Sequence, residues 1–280
     1  MLLIVDSGST KTDWKLVDKT FEFSFQTMGM NPFYMKDEEI EKELKNVVVP
    51  KLEKIPDKVF FYGAGIISEQ KQRMEKVLSI SFPNAEVKAE SDLLAAARAL
   101  CGKQKGIACI MGTGANSCLY DGENIIDNIP PLGFIQGDEG SGAVLGKKLI
   151  TMYLKRELPK HIAEEFHKEY GLNVSDILQK VYKEAFPNRF LANFTKFINQ
   201  HISNELIYRL VYDSFDEFLI RNVYKYLDYQ KLNIHFIGSV AYYFKDILLK
   251  IAKEHELKIG NIIRSPIDNL VKYHLAEFKN

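Results

Sequence analysis

One pattern occurs twice in this chain and constrains its fold more than any other feature. An apolar run ends in a turn of small residues, and two further strand-like runs follow. The first copy is Met1 to Val5, then Asp6-Ser7-Gly8-Ser9-Thr10-Lys11-Thr12, then the strand candidates Asp13 to Val17 and Phe21 to Phe25. The second is Gly106 to Met111, then Gly112-Thr113-Gly114-Ala115-Asn116, then Ser117 to Tyr120 and Glu123 to Ile129. Asp121-Gly122 between the last two is a strong hairpin signal. Phe21, Phe23 and Phe25 alternate with Glu22 and Ser24, the period of two expected of a half-buried strand.

Each copy continues with alternating helices and strands. After the first come a helix over 37–52, a strand over 58–62, a helix over 68–79, a strand over 85–89 and an Ala-rich helix over 91–100. Ser91 reads as the N-cap of that last helix and Gly102 as its stop. After the second comes a long helical stretch over 144–228, broken near Pro159, Gly171 and Pro187. A strand over 234–237, a helix over 241–256, a strand over 258–263 and a helix from Pro266 close the chain. The expectation is a duplicated α/β fold with lobes 1–104 and 105–280 and a helical insertion in the second, the terminal helix being free to pack back on the first. Gly-rich turns from two such lobes would face a cleft, the usual place for a ligand. The plain alternative is one α/β domain with a coincidental meander.

Composition narrows the classes. Lys plus Arg equals Asp plus Glu, 37 against 37, so no net positive field recruits nucleic acid or an anionic membrane. No apolar run approaches the roughly 20 residues that span a bilayer. Leu2 to Val5 meets Asp6 too soon for a secretory signal. Three cysteines, Cys101, Cys109 and Cys118, have no metal-type spacing and suit a reducing cytosol. These observations predict a cytoplasmic α/β protein without a nucleic-acid or membrane partner.

The turns carry the chemistry. A segment rich in Gly, Ser and Thr after a strand, as in Gly8, Ser9, Thr10, Lys11 and Thr12, lets backbone N–H groups and hydroxyls approach a phosphate. Asp6 at the strand end can hold Mg²⁺, usually through water. The same residues also suit an ordinary tight hairpin. Gly112, Thr113 and Gly114 form the matching turn of the second half, and the two together could grip a triphosphate from both sides. Gly238-Ser239 makes a third small-residue turn between a strand and a helix, where a base or ribose could lie. Asp92 stands one position after Ser91, where the helix dipole and free N–H groups favour an ionised carboxylate. Such a group can accept the proton of an attacking hydroxyl, although Asp in a first helical turn is also ordinary capping. The run Gly133-Phe134-Ile135-Gln136-Gly137-Asp138-Glu139-Gly140-Ser141-Gly142 puts acids between glycines, which suits hydrogen bonding to vicinal sugar hydroxyls.

This pattern resembles the acetate-kinase, sugar-kinase, heat-shock-protein and actin superfamily, and within it the N-acetylglucosamine kinase and BadF/BadG-type ATPase family. The resemblance runs from Asp6 to about Ala241 and is most specific at Asp6 to Thr12, Gly112 to Asn116 and Gly137 to Ser141. It implies duplicated ribonuclease H-like, actin-like ATPase domains, with ATP and Mg²⁺ as cofactors and a small sugar as substrate. It implies Asp6 at the metal, Thr10 and Thr113 at ATP phosphates, and Gly238 and Ser239 against the adenosine. Ser91-Asp92-Leu93-Leu94-Ala95 matches the helix start that carries the family's catalytic Asp. Asn31 in Met30-Asn31-Pro32-Phe33 matches a sugar-binding Asn, and Asp138 with the Gly133 backbone would hold the sugar. Asn-Pro is equally a common turn. Where the family commonly shows Gly-Trp-Gly, this chain has Leu132-Gly133-Phe134, which keeps an aromatic at Phe134.

The implied activity is ATP-dependent phosphorylation of an amino sugar, N-acetylglucosamine or a relative, at the C6 hydroxyl, and a homodimer through the second lobe fits the family. The rival within the family is an ATPase that drives electrons into a partner reductase or dehydratase and holds an iron–sulfur cluster with cysteines. Two other signals are weaker. Gly63-Ala64-Gly65-Ile66-Ile67-Ser68 is a near-match to a dinucleotide fingerprint, and Gly146-Lys147 misses a Walker A motif at Ser141 and Lys148. The aromatic-rich segment Tyr208 to Tyr229 reads as core or as an oligomer face.

Overall fold

The computed structural model describes residues 1–8, 11–33 and 35–277, apart from the Ser68 side chain. The chain divides into two compact units. One comprises Met1–Gln104, Asp121–Ile125 and the segment from Ser265; the other comprises Lys105–Tyr120 and Ile126–Arg264.

In the first unit, β1 (Leu2–Ser7), β2 (Lys11–Val17) and β3 (Glu22–Met28) form an antiparallel meander, and β4 (Lys58–Gly63) and β5 (Glu86–Ser91) add in parallel on the other side. The sheet order is β3-β2-β1-β4-β5. β1 is central, and Leu2 to Val5 are buried without interruption, as a strand flanked on both edges requires. β3 is an edge strand that alternates exposed Glu22, Ser24 and Gln26 with half-buried Phe23 and Phe25. Trp14 of β2 stacks on Phe25 at 5.8 Å and meets Phe61 of β4 edge-on, which anchors this unit's core.

Helix α1 (Asp37–Glu43) is shorter than the expected 37–52. The chain loosens into a π-type turn at 44–48 and a 3₁₀ turn at 49–51, because Pro50 has no N–H to donate and its ring crowds the preceding turn. Helix α2 (Ser68–Ser81) links β4 to β5, and α3 (Asp92–Cys101) follows β5 directly. Ser91 caps α3 by accepting from Leu94 N at 3.2 Å.

The second unit repeats the strand plan. β6 (Gly106–Met111), β7 (Ala115–Tyr120) and β8 (Ile125–Asp127) are followed much later by β9 (Ile234–Ile237) and β10 (Ile259–Ile263), in the order β10-β9-β6-β7-β8. β6 pairs antiparallel with β7 and parallel with β9, as β1 does with β2 and β4. Between β8 and β9 lie α4 (Gly133–Gln136), α5 (Gly142–Leu154), α6 (Lys160–Tyr170), α7 (Val174–Tyr182), α8 (Pro187–Ala192), α9 (Thr195–Gln200) and α10 (Glu205–Arg221).

The three expected breaks have the expected causes. Pro159 caps α6, Gly171 ends it in the left-handed region and Pro187 opens α8. Two further breaks carry no Gly or Pro; the second is set by Asn204, whose side chain accepts from Leu206 and Ile207 N to start α10. The expected helix over 241–256 is two, α11 (Ser239–Tyr243) and α12 (Lys245–Glu254), because Phe244 leaves helical geometry while its ring is buried in the core.

The last helix, α13 (Ile267–Glu277), belongs to the first unit and packs on α3, β1 and β2. Lys15 meets Asp268 at 2.6 Å, Asn269 Nδ2 donates to the Ala99 carbonyl at 2.9 Å, and the Tyr62 hydroxyl meets His274 Nε2 at 2.8 Å.

Candidate functional site

In the first unit the candidate residues gather at the C-terminal edge of the sheet. Ser7, Gly63 and Ser91 stand side by side in the β1–β4–β5 register, so Asp6 and Asp92 flank that row. Opposite Asp6 on β2 is Asp13, a carboxyl that the sequence does not single out; its signal is the near-symmetric placement of two acids around the 7–12 hairpin. Burial pushes the Asp6 carboxyl up to about 7, and the charges of Asp13 and Asp92 push the same way against Lys11. Asp6 keeps part of its surface open to solvent while protein surrounds most of it, which is the condition that makes a charge costly and still reachable.

Burial also raises the Asp92 pKa, and the backbone N–H groups at the start of α3 only partly offset this. Desolvation thus works against the charge that the N–H groups at the helix start favour.

Gly8 N donates to the Lys11 carbonyl at 3.0 Å and closes the turn, while Ser9 and Thr10 lie outside the described residues. Lys11 is exposed and pairs with Asp13 at 2.8 Å. Thr12 is fully buried, and its hydroxyl engages Ser7 Oγ and the Met28 carbonyl, so it locks the meander together. Asn31 is 9% exposed, and its Oδ1 accepts from Phe33 N at 2.9 Å. Gly65, with φ +80°, presses on the same amide: a Cβ there would lie 2.4 Å from Asn31 Oδ1. That contact explains the second glycine of the dinucleotide-like run without any ligand.

In the second unit three segments far apart in sequence converge. The turn Gly112–Gly114 closes through Gly112 N to Gly114 O at 2.9 Å. The start of α5 returns to it, with Gly142 N donating to Gly112 O at 2.8 Å and Ala143 N to Thr113 O at 3.1 Å. Asp138, in the left-handed region at φ 53°, accepts from Ala115 N through Oδ1 at 3.2 Å and lies against Gly114. Burial lifts its pKa to about 6. Gly238 sits at φ +122°, where a Cβ would be 2.3 Å from the Met111 carbonyl oxygen. Glycine at 238 is thus required by the backbone at Met111 and Gly112.

Gly133, at φ +72°, opens α4 and is exposed, and the Phe134 carbonyl accepts from Lys147 Nζ at 2.7 Å. Glu139 is buried and pairs with Arg221 at 3.0 Å and with Asn222 Nδ2 at 3.3 Å. Beside Ser239 lies a cavity of about 450 Å³ lined by Thr195, Asn199, Tyr243, Phe244 and Arg264 among others. Thr195 and Asn199 of α9, and Arg264 just after β10, carry no motif, so only folding could find them. Gly146, the near-Walker glycine, is explained by packing, since a Cβ there would lie 1.9 Å from the Leu191 carbonyl oxygen of α8.

All three cysteines are buried, and burial pushes the Cys101 thiol up to about 12. Cluster ligation needs accessible thiolate, so the geometry gives the iron–sulfur rival no support. Among the described residues no helix is long and apolar enough to cross a membrane.

Two mixed five-stranded sheets of one order, each with an antiparallel hairpin after its central strand, define an actin-like ATPase fold of the kind found in sugar kinases. A Porphyromonas gingivalis protein that carries the provisional name N-acetylglucosamine kinase is 44% identical, with coverage of 99% of this chain and 100% of that one and a TM-score of 0.96. A Chromobacterium violaceum protein with the same provisional name is 14% identical over 97% and 98% of the two chains, with a TM-score of 0.74. A Streptomyces griseus ROK family glucokinase, crystallised with glucose and AMPPNP, is 14% identical over 97% of each chain with a TM-score of 0.58; at these identities the last two show the fold alone. No family model and no curated protein matches the chain. The chain belongs to the N-acetylglucosamine-kinase-like family of the actin-like ATPase superfamily.

Proposed function

We propose that this chain transfers the γ-phosphoryl group of ATP to the C6 hydroxyl of an amino sugar, N-acetylglucosamine or a close relative. The observation that carries this reading is the pair of carboxyl groups, Asp6 and Asp92, set at one sheet edge with proton affinities raised by burial. A general base works best when its pKa lies near the working pH, and burial moves Asp92 in that direction. Asp92 takes the hydroxyl proton as the sugar oxygen bonds to Pγ, and the bond from Pγ to the bridging oxygen breaks to release ADP.

Asp6 suits a different role. Its affinity for a proton comes partly from the charges of Asp13 and Asp92, and a divalent cation relieves the same repulsion. Carboxylate oxygen is the donor chemistry Mg²⁺ prefers, and Asp6 would hold it through water. When bound, Mg²⁺ offsets the charge on the phosphate oxygens. Gly8, Ser9, Thr10 and Lys11, with Gly112, Thr113 and Gly114, serve the phosphates. The expectation for Thr12 is corrected, because it is fully buried and its hydroxyl is engaged by Ser7 and the Met28 carbonyl, so it shapes the turn from behind. Gly238, Ser239 and the cavity beside them serve the adenosine. Asn31, Asp138, the Gly133 backbone and Phe134 serve the sugar; Asp138 has Oδ2 for this, because Oδ1 already accepts from Ala115 N. The provisional name of the Porphyromonas gingivalis relative, N-acetylglucosamine kinase, supports an amino sugar. A cytoplasmic homodimer through the second unit completes the reading.

The test is ADP release from Mg²⁺-ATP across N-acetylglucosamine, N-acetylmuramic acid, glucosamine, glucose and no sugar. Release that depends on one amino sugar is expected, and Asp92→Asn should cut its kcat by about 100-fold or more with ATP affinity held within about twofold. Release indifferent to every sugar would overturn the proposal.

A further inference from the structure

Between β3 and α1 the described residues form no strand or helix, yet their backbone is held at several points. Upstream, Met30 N donates to Ser7 Oγ at 2.9 Å, and Ser7 Oγ is also within 2.9 Å of the Met30 carbonyl. Within the turn, Met35 N donates to the Asn31 carbonyl at 3.1 Å and Phe33 N to Asn31 Oδ1. Pro32 has no N–H, so the turn cannot close through a donor at that position.

Arg73, on the second turn of α2, holds the turn from outside by donating to its acceptors. Nη1 donates to the Pro32 carbonyl at 2.6 Å, Nη2 donates to the Met35 carbonyl at 2.7 Å, and Nε bonds to the Asp37 carboxylate at the start of α1. One planar guanidinium thus ties both sides of the turn to a helix that is itself packed on β5. Lysine, a single point donor, cannot reproduce this geometry. The turn so fixed presents the buried Asn31 amide against Gly65, and at its apex Phe33, 60% exposed. Beside Gly65 stands Ile67, 61% exposed.

We infer that Arg73 is the positioning residue for substrate binding in the first unit: its three-point hold on Pro32, Met35 and Asp37 keeps Asn31 and Phe33 in the geometry that receives the sugar. The inference rests on the reading that Asn31 serves the sugar. Arg73 acts through the turn, since its guanidinium is engaged by Pro32, Met35 and Asp37. A misplacement of about 1 Å in a binding group costs binding steeply, so loss of the fork should weaken the sugar interaction specifically.

The experiment compares wild type, Arg73→Gln and Arg73→Lys. It measures kcat and KM for N-acetylglucosamine, KM for ATP, the sugar Kd by calorimetry and amide exchange over residues 30–36. Arg73→Gln should raise sugar KM and Kd by about tenfold or more, leave kcat and the ATP KM within about twofold, and speed exchange in 30–36. Arg73→Lys, which keeps the charge facing Asp37, should fall between. A variant with a lower Tm but unchanged sugar Kd would overturn the inference and leave the proposed function standing. Wild type that binds the sugar without turning it over would sink the proposed reaction instead; the inference would then stand if Arg73→Gln weakens that binding and fall if it does not. Wild type that binds no sugar would overturn both.

Discussion

Buried ionisable side chains set how single residues respond to pH. His274 of α13 is stacked on Phe60 at 3.9 Å and is 1% exposed, and burial lowers its pKa to about 4, with Arg98 adding to the effect. Arg98 Nη1 donates to the Tyr62 hydroxyl at 2.8 Å, which leaves the hydroxyl proton for His274 Nε2, so the ring is held neutral. In the unfolded chain the same imidazole takes a proton near pH 6.5. Protons therefore bind the unfolded state first: the contribution is intact above pH 6.5 and is lost as pH falls toward 4. Asp6 and Asp138 act in the opposite sense, since their raised values add stability in acid that is lost as pH rises through about 7 and about 6. The difference between wild type and His274→Gln isolates the histidine. From pH 7 to pH 4.5 wild type should lose on the order of 2 kcal/mol more than the variant in urea melts, and parallel losses would refute the assignment. Most of the residues in the proposed site could be named without coordinates, because small-residue turns and a capped Asp are local signals. Asp13 and Thr195 could not, because each matters only through what folding sets beside it.

Helices and strands show the same division between local and distant causes. Strands β1 to β7 and the N-cap of α3 follow from apolar runs, alternation and a Ser before an acidic first turn. The helical insertion was legible as helix but not as six helices, because Asn204 caps through a side chain and the break at Asn193 and Phe194 has no Gly or Pro. α5 is mostly apolar and looks like a helix that could tolerate substitution anywhere on its buried face. Its close approach to α8 says otherwise. Gly146 meets the Leu191 carbonyl backbone directly, so even one methyl group must move a helix. Gly146→Ala should cost about 2 kcal/mol or more despite alanine's better helix propensity, read as a lower urea midpoint with an unchanged slope. A neutral or stabilising result would mean that α5 and α8 are not held this close.

Taken whole, the chain is a duplication with two cores, one on Trp14, Phe61 and Met74 and the other on Phe166, Phe197, Phe215 and Phe236. Ligand binding to the folded form adds to stability by mass action, so Mg²⁺-ATP at about 100 times its Kd should contribute about 2.7 kcal/mol. The Tm should rise with Mg²⁺-ATP and drop back most of the way when EDTA removes the metal; a rise unaffected by EDTA would detach Asp6 from its proposed role. Strand identity and the small-residue turns could be read from residue order because each depends on neighbours within a few positions, and the doubled plan and the balance of charge because each needs only a comparison or a count along the chain. Three features depended on folding: the meeting of Gly112–Gly114 with Asp138 and Gly238, the clamp of Arg73 on the turn after β3, and the raised proton affinity of Asp92. Each joins groups 24 to 126 residues apart or depends on how much protein surrounds a charge, and desolvation and close backbone approach have no signature in the order of residues along a chain.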